Sequence, residues 1–392
     1  MKFFRNKSEI DVSQYIIITY DAESTVSLRD CAWNIAIGQS IGSPFNRSVY
    51  ETNSMFEQHS CIVLGDEHEL ETVKKGIVQI AFPLCNIDWY TDGISQLLCF
   101  ISGGNLDIAT ITRCRVIKIE IPSQIKKIKP YYGMSGLRKH TGVYDKPILG
   151  GIIKPKTGMS PAQLLDMTKE MVDNGINWIK EDEILGNPEC CPLSERVKLI
   201  SEYINDKPVI YCFCINSDPL HALERVKLIH HLGGNGIHIN FWSGWGLYKS
   251  IRELELPLFC HIQSSGSRII YNKRNPYGIE WEVLCELLTY AGYDSVHVGM
   301  LFGYFPGDED EIKRIVNNLQ NNNVVPTMSC GLHPGTVNKL TKTIGNDYLG
   351  NVGSALHSHP HGTGAGVRAM RQAIDGTFGL EYNQAITQWG KI

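Results

Sequence analysis

The sequence predicts an α/β protein in which a C-terminal (β/α)8 barrel, a TIM barrel, follows a smaller N-terminal α+β domain of ferredoxin-like type. Three observations predict it. From about Pro147 onward, short β-rich runs alternate with helical patterns, as in a parallel βα array. There are eight such runs, the number that closes a barrel. Residues 1–125 lack this alternation and mix strand-like and helical stretches instead.

In chain order, the first domain, residues 1–125, has strand-like runs at 14–19, 59–64, 78–82 and 112–121, with helical stretches near 28–37 and 92–102. A lysine-rich, proline-bearing segment, 126–146, reads as the link. The barrel domain, 147–392, carries its strands at 148–154, 176–181, 208–215, 236–242, 257–263, 295–299, 325–330 and 348–354. Helices between them have usable start signals in Ser160-Pro161 and Asp218-Pro219, since proline fits an early helical position whose N–H needs no partner.

Composition narrows the function classes. The chain has 392 residues, 43% of them hydrophobic, enough for a large core and a second domain. A formal net charge of −4 gives no electrostatic reason to expect nucleic acid or an anionic membrane as partner. No apolar run approaches eighteen residues and no signal-peptide pattern follows Met1, so a cytoplasmic location is expected. Twelve cysteines are scattered through strands, as at Cys212 and Cys214, and read as reduced and buried. Cys190-Cys191 lacks zinc-site spacing.

Catalytic groups of (β/α)8 barrels sit at the carboxyl ends of the strands. Polar residues gather at those ends here. Strand one ends in Lys154 and Lys156, strand two in Lys180, Asp182 and Glu183, and strands five and six in His261 and His297. Strand seven ends in Ser329 and Gly331, and strand eight in Gly353 and Ser354. Alternate strand residues share a face, so Lys180 and Asp182 can meet inside the barrel mouth, with Glu183 turning in as the strand ends. A lone lysine among carboxylates is more often a salt-bridged cluster, and a lone histidine after an apolar run a core residue. Two histidines at separate ends facing the same cluster favour a site.

The stretches GIIKPKTGMS (151–160) and NWIKEDEILGNPECCPLSERV (177–197) resemble the large subunit of RuBisCO and its non-carboxylating relatives, the RuBisCO-like proteins. The resemblance implies that Lys180 is carbamylated by carbon dioxide and binds Mg²⁺ together with Asp182 and Glu183, oxygen donors that suit a hard cation. It makes Lys154 the proton-handling group, with Lys156 and the metal as neighbouring cations, and His261 and His297 active-site histidines. Ser329, Gly331, Gly353 and Ser354 fall where the family cradles a phosphate. Asn105 resembles an asparagine that reaches from the small domain of one subunit into the barrel of its partner, which implies a homodimer or a multiple of dimers.

Departures from the family pattern bear on the reaction. Tyr304 stands where carboxylating members carry a lysine, Ile262 where an arginine grips a second phosphate, Ser43-Pro44 where a threonine-tryptophan pair binds substrate, and Gly38 where a glutamate is expected. Ser43 stays a candidate substrate contact. Losing a bidentate arginine serves a bisphosphate poorly. The expected function is therefore Mg²⁺-dependent enolisation or isomerisation of a singly phosphorylated ketose or diketone, of methionine-salvage type or related, without carbon dioxide fixation. The diketone enolases of methionine salvage carry a lysine at the Asn105 position, which leaves other ketose phosphates open. A true ribulose bisphosphate carboxylase, a decarboxylase of a branched sugar-acid phosphate and a non-catalytic binding protein are the alternatives. The aromatic run FWSGWGLY (241–248) reads as barrel packing rather than as an apolar substrate pocket.

Overall fold

A computed structural model describes residues 3–43, 46–304 and 308–392, so Pro44 lies outside the described residues. The chain divides into two compact units, Met1–Lys127 with Ser267–Leu287, and Ile128–Gly266 with Leu288–Ile392.

The first unit is built on a mixed six-stranded sheet. Its strands are β1 (Phe4–Arg5), β2 (Tyr15–Ser24), β3 (Ile62–Leu64), β4 (Lys75–Pro83), β5 (Ile111–Glu120) and β11 (Tyr277–Ile279), in the order β1-β3-β4-β2-β5-β11. β2 alternates buried Ile16, Ile18 and Tyr20 with residues of the opposite face, and pairs antiparallel with both β4 and β5. The sixth strand comes from far along the sequence. β11 pairs parallel with β5 through Tyr277↔Cys114 and Ile279↔Val116, and the fully buried Arg115 fixes it there. The Arg115 guanidinium donates to Glu280 Oε1 at 2.8 and 2.9 Å and to the carbonyls of Tyr271, Asn272, Asn275 and Tyr277.

In the second unit, β6 (Ile148–Ile152), β7 (Trp178–Lys180), β8 (Ile210–Cys214), β9 (Gly236–Asn240), β10 (Phe259–Gln263), β12 (Ser295–Gly299), β13 (Val325–Met328) and β14 (Leu349–Val352) close a parallel barrel. Each lies inside one of the eight expected runs. Ser160 caps the helix Pro161–Asp173 with a capping box, accepting from the Gln163 N–H while the Gln163 side chain accepts from the Ser160 N–H.

The segment expected as a link, 126–146, contains the helix Gly133–Thr141. Its Met134 and Leu137 join Ile148, Trp178, Ile210, Phe259, Val325 and Leu349 in one apolar cluster. Those strand residues lie toward the amino ends of their strands, and a barrel bottom left open would expose them to water. The buried Asp294 carboxylate ties the helix start down by accepting from the N–H groups of Tyr132 (2.6 Å), Gly133 (2.9 Å) and Cys260 (2.7 Å). All twelve cysteines are free thiols. Among the described residues, no helix is long and apolar enough to cross a membrane.

Candidate active site

At the carboxyl mouth of the barrel lies a pocket of about 820 Å³. Every residue lining it belongs to the second unit. Nine of the sequence-predicted site residues converge on or beneath its floor and wall. Lys154, Lys156, Asp182, Glu183, Ser329, Gly331, Gly353 and Ser354 line it, while Lys180 lies fully buried below, its Nζ donating to Glu183 Oε2 at 3.0 Å and to the Glu181 carbonyl at 3.0 Å.

Lys154 and Lys156 converge on Asp182, which is only 3% exposed. Their Nζ atoms stand 2.8 and 3.9 Å from the same Oδ2. Burial pushes the Glu183 carboxyl up, but the Lys180 charge and hydrogen bonds, including one from Ser265, outweigh it and hold the group well below the usual carboxylate range. Asn216 Nδ2 donates to the Glu183 carbonyl at 2.6 Å, fixing the turn that aims these carboxylates. The neighbouring Glu181 points away from the pocket. It forms a fully buried pair with Arg196 at 2.8 Å and accepts from the Cys214 N–H, so of the four residues Lys180 to Glu183 it is the structural one.

A metal fits this set under one condition. Among the described residues, no three His, Cys, Asp or Glu side chains are grouped to hold a metal ion. Asp182 and Glu183 gain a third oxygen ligand only if Lys180 supplies it as a carbamate. The five charged groups carry one net positive charge with Lys180 as an ammonium and one net negative charge with it as a carbamate. Only the second state attracts a divalent cation.

His297 is buried. Its Nδ1 faces Ser264 Oγ at 2.6 Å and its Nε2 faces Cys330 Sγ at 3.7 Å. Burial, reinforced by the Lys180 charge, pulls its imidazole down to about 4, so at neutral pH it is an uncharged hydrogen-bonding group. Cys330 lines the pocket at φ +72°, a left-handed conformation unusual for a residue with a side chain. Gly331 has φ +111°, and a Cβ there would press on Gly303 Cα at 2.9 Å, so the strand-seven turn packs against the loop that carries Tyr304.

His261 does not reach the pocket. It is fully buried, with Nδ1 facing Ser295 Oγ at 2.7 Å and its ring edge-on to Trp178 at 5.1 Å. Residues 261 and 263 share the inward face of β10, and the one nearer the mouth is Gln263, which lines the pocket with Ser265. Ile262, the expected replacement for an arginine, is buried on the opposite face. The groups that stand at this end of β10 are Gln263, Ser264 and Ser265, and none carries a charge. The strand's two-residue alternation, continued to its last residue, was the signal for Gln263. Cys330, His333, Asn351 and Trp389 also line the pocket without having been singled out in the sequence.

Asn105 and Ser43 belong to the first unit. Asn105 Nδ2 donates to the Asn34 carbonyl at 3.4 Å, and a Cβ on Gly38 would fall 1.2 Å from that nitrogen. The glycine at 38 and the asparagine at 105, two separate features of the sequence, are therefore one packing arrangement. Ser43 accepts weakly from the Asn46 N–H at 3.4 Å.

The fold and site define a (β/α)8-barrel protein with a buried lysine set among carboxylates at its carboxyl mouth. Residues 133–391 match the family of the ribulose bisphosphate carboxylase large chain, catalytic domain, and the chain belongs to that family. It is 30% identical over 394 residues to the 3-oxo-isoapionate-4-phosphate decarboxylase of Rhizobium rhizogenes, covering 91% of this chain and 92% of that one. It is 26% identical over 370 residues to the 2,3-diketo-5-methylthiopentyl-1-phosphate enolase of Microcystis aeruginosa, covering 92% of each. The dimeric archaeal Rubisco of Hyperthermus butylicus superposes with a TM-score of 0.89 at 23% identity over 99% of both chains, a likeness of fold.

Proposed function

We propose that this protein is a RuBisCO-like enzyme that removes a proton beside the carbonyl of a singly phosphorylated ketose or diketone, with Mg²⁺ held by Asp182, Glu183 and a carbamate on Lys180, and that it does not fix carbon dioxide. The observation that carries the reading is the buried Lys180 ammonium 3.0 Å from Glu183, beside a pocket where Lys154 stands 2.8 Å from Asp182. When bound, the metal supplies Lewis acidity toward the substrate carbonyl. Lys154 holds the proton-transfer position. With Asp182 taken up as a metal ligand, the Lys154 ammonium would lose its ion-pair partner and give its proton to solvent, and the neutral amine facing the pocket would then take the carbon proton as general base. His297 does not itself line the pocket; uncharged, it stands behind the pocket residue Cys330, with Nε2 3.7 Å from its Sγ, and positions that wall.

The charge distribution supports one phosphate and no carboxylation. Among the described residues lining the pocket, Lys154 and Lys156 are the only lysines and there is no arginine, and both stand on one wall. Ser329, Gly331, Gly353 and Ser354 form a neutral cradle on another. Tyr304, 71% exposed at the mouth, brings no fixed charge to steady a carboxylated adduct. The decarboxylase reading shares the same enediolate and is favoured by the 30% identity to the Rhizobium enzyme. A homodimer with Asn105 serving the partner's barrel, and a cytoplasmic location, belong to the same proposal.

The test is solvent deuterium exchange, followed by NMR, into phosphorylated ketoses and diketones including methylthioribulose phosphate, with Mg²⁺ and bicarbonate present or omitted. Exchange that requires both additives is expected. Exchange without either, or into no candidate, sinks the reading, and incorporation of labelled bicarbonate into ribulose bisphosphate sinks its non-carboxylating part.

A further inference from the structure

Asn351 sits on β14 and lines the pocket, yet its side chain is fully buried and neither amide atom has a hydrogen-bond partner among the described residues. Its neighbours explain why. The residue opposite it on β6 is Gly150, which offers no side chain, and the space above that glycine is filled by the apolar atoms of Leu349 and Trp178. On β13, Thr327 stands opposite Leu349, two residues nearer the amino end of β14 than Asn351, and it too has a buried hydroxyl without a partner among the described residues. A buried carboxamide left unpaired is costly, and such groups are normally satisfied. Among the described residues, the one ligand-sized space that Asn351 borders is the pocket.

We infer that Asn351 is a specificity residue that pairs with a hydroxyl of the substrate, so that the pocket selects a polyol-type phosphate over one with an alkyl or thioether tail. The inference rests on the reading of this pocket as the site of a phosphorylated carbonyl compound, and it narrows the substrate class. The amide presents both a donor, Nδ2, and an acceptor, Oδ1. A ketone or carboxylate accepts only and leaves Oδ1 bare. A thioether or alkyl group leaves the N–H groups without a good partner as well. A hydroxyl, or a pair of neighbouring hydroxyls, both donates and accepts, and it satisfies the whole amide.

Two probes of equal length and one phosphate each, ribitol 5-phosphate and n-pentyl phosphate, separate these cases by titration calorimetry on the full chain. Asn351→Leu keeps the volume and removes both hydrogen bonds, and Asn351→Ala stands in if packing rejects leucine. The ratio of the two affinities in wild type is expected to fall by about tenfold in either variant, through weaker binding of the polyol alone. Free of an unpaired amide, the ligand-free leucine variant is also expected to melt about 2–4 °C higher. An unchanged ratio, or a lower melting temperature with the ratio intact, would mean that Asn351 is a structural amide served by buried water, and would overturn the assignment. Failure of wild type to bind either probe sinks the phosphate reading and this inference together. A tenfold fall in the ratio in a protein that shows no deuterium exchange keeps the inference and sinks the catalytic proposal.

Discussion

Lys180 concentrates the chemistry at one residue. A fully buried ammonium is expensive unless paired, and its one carboxylate partner, Glu183, is also a proposed metal ligand. On the proposed reading, Mg²⁺ binding would break that ion pair, and conversion of the amine to a carbamate would make this favourable. Mg²⁺ and bicarbonate together are expected to raise the melting temperature of the wild type, and Lys180→Ala is expected to abolish both that rise and, separately, deuterium exchange, because stabilisation by a ligand needs its site in the folded state. Circular dichroism checks that the variant is folded. Exchange surviving in a folded variant would show that the carbamate assignment is wrong. The lysine and its two carboxylates were legible because K-E-D-E follows a clean apolar strand. Cys330 and Asn351 were not, since neither a thiol nor an amide at a strand end has a pattern that separates it from packing. The contact between Gly38 and Asn105 was hidden too, because it joins positions that only the folded sheet and helix bring together.

At the level of the element, the barrel strands were readable because a short β-rich run bounded by helical patterns has few alternatives. What the pattern misplaced was depth within a strand. His261 and Gln263 share a face of β10, and being two residues further along decides which one meets the pocket. Gln263→Leu is expected to lower kcat/KM by about 10- to 100-fold with little change in stability, the effect of one lost hydrogen bond to substrate or to the Ser265 that borders it. His261→Leu is expected to act chiefly on stability. It leaves Ser295 Oγ without its partner and lowers stability by about 1–3 kcal/mol, while kcat/KM of the folded fraction falls by less than in the Gln263 variant, since His261 reaches the pocket only through its 3.3 Å contact with Gln263 Oε1. Kinetics and urea unfolding on the same two preparations decide it. A large kinetic loss in the His261 variant would restore that histidine to the active site.

Across the whole molecule, the eightfold repeat and the earlier α+β stretch were legible, but the path of the chain between β10 and β12 was not. Residues 267–287 leave the barrel's unit to add β11 beside β5, a parallel pairing across more than 160 residues that no local periodicity encodes. The barrel's polar interior has a further consequence for the molecule's response to acid. His238, His261 and His297 are buried in the second unit, and burial first, then the Lys180 charge, holds all three below the ordinary histidine value, His297 at about 4. Below pH ~6.5 the unfolded chain takes up protons that the folded barrel refuses, so the folded state loses ground as pH falls and is unaffected above that value. Each such group adds at most about 1.4 kcal/mol per pH unit while its folded form stays uncharged, and His333 and His357, also held down by burial, act in the same direction. Glu183 acts in a lower window, because a carboxyl held down contributes above its unfolded value of ~4.3 and loses that contribution only in stronger acid. For the metal-free protein, urea unfolding is expected to give a flat stability from pH 8 to 7 and a steep fall below about 6. His238, whose two ring nitrogens have no partner among the described residues, is the group to remove. His238→Leu should flatten the acid limb by about 1 kcal/mol per pH unit, and a limb of unchanged slope would show that this imidazole is already protonated or paired within the folded barrel.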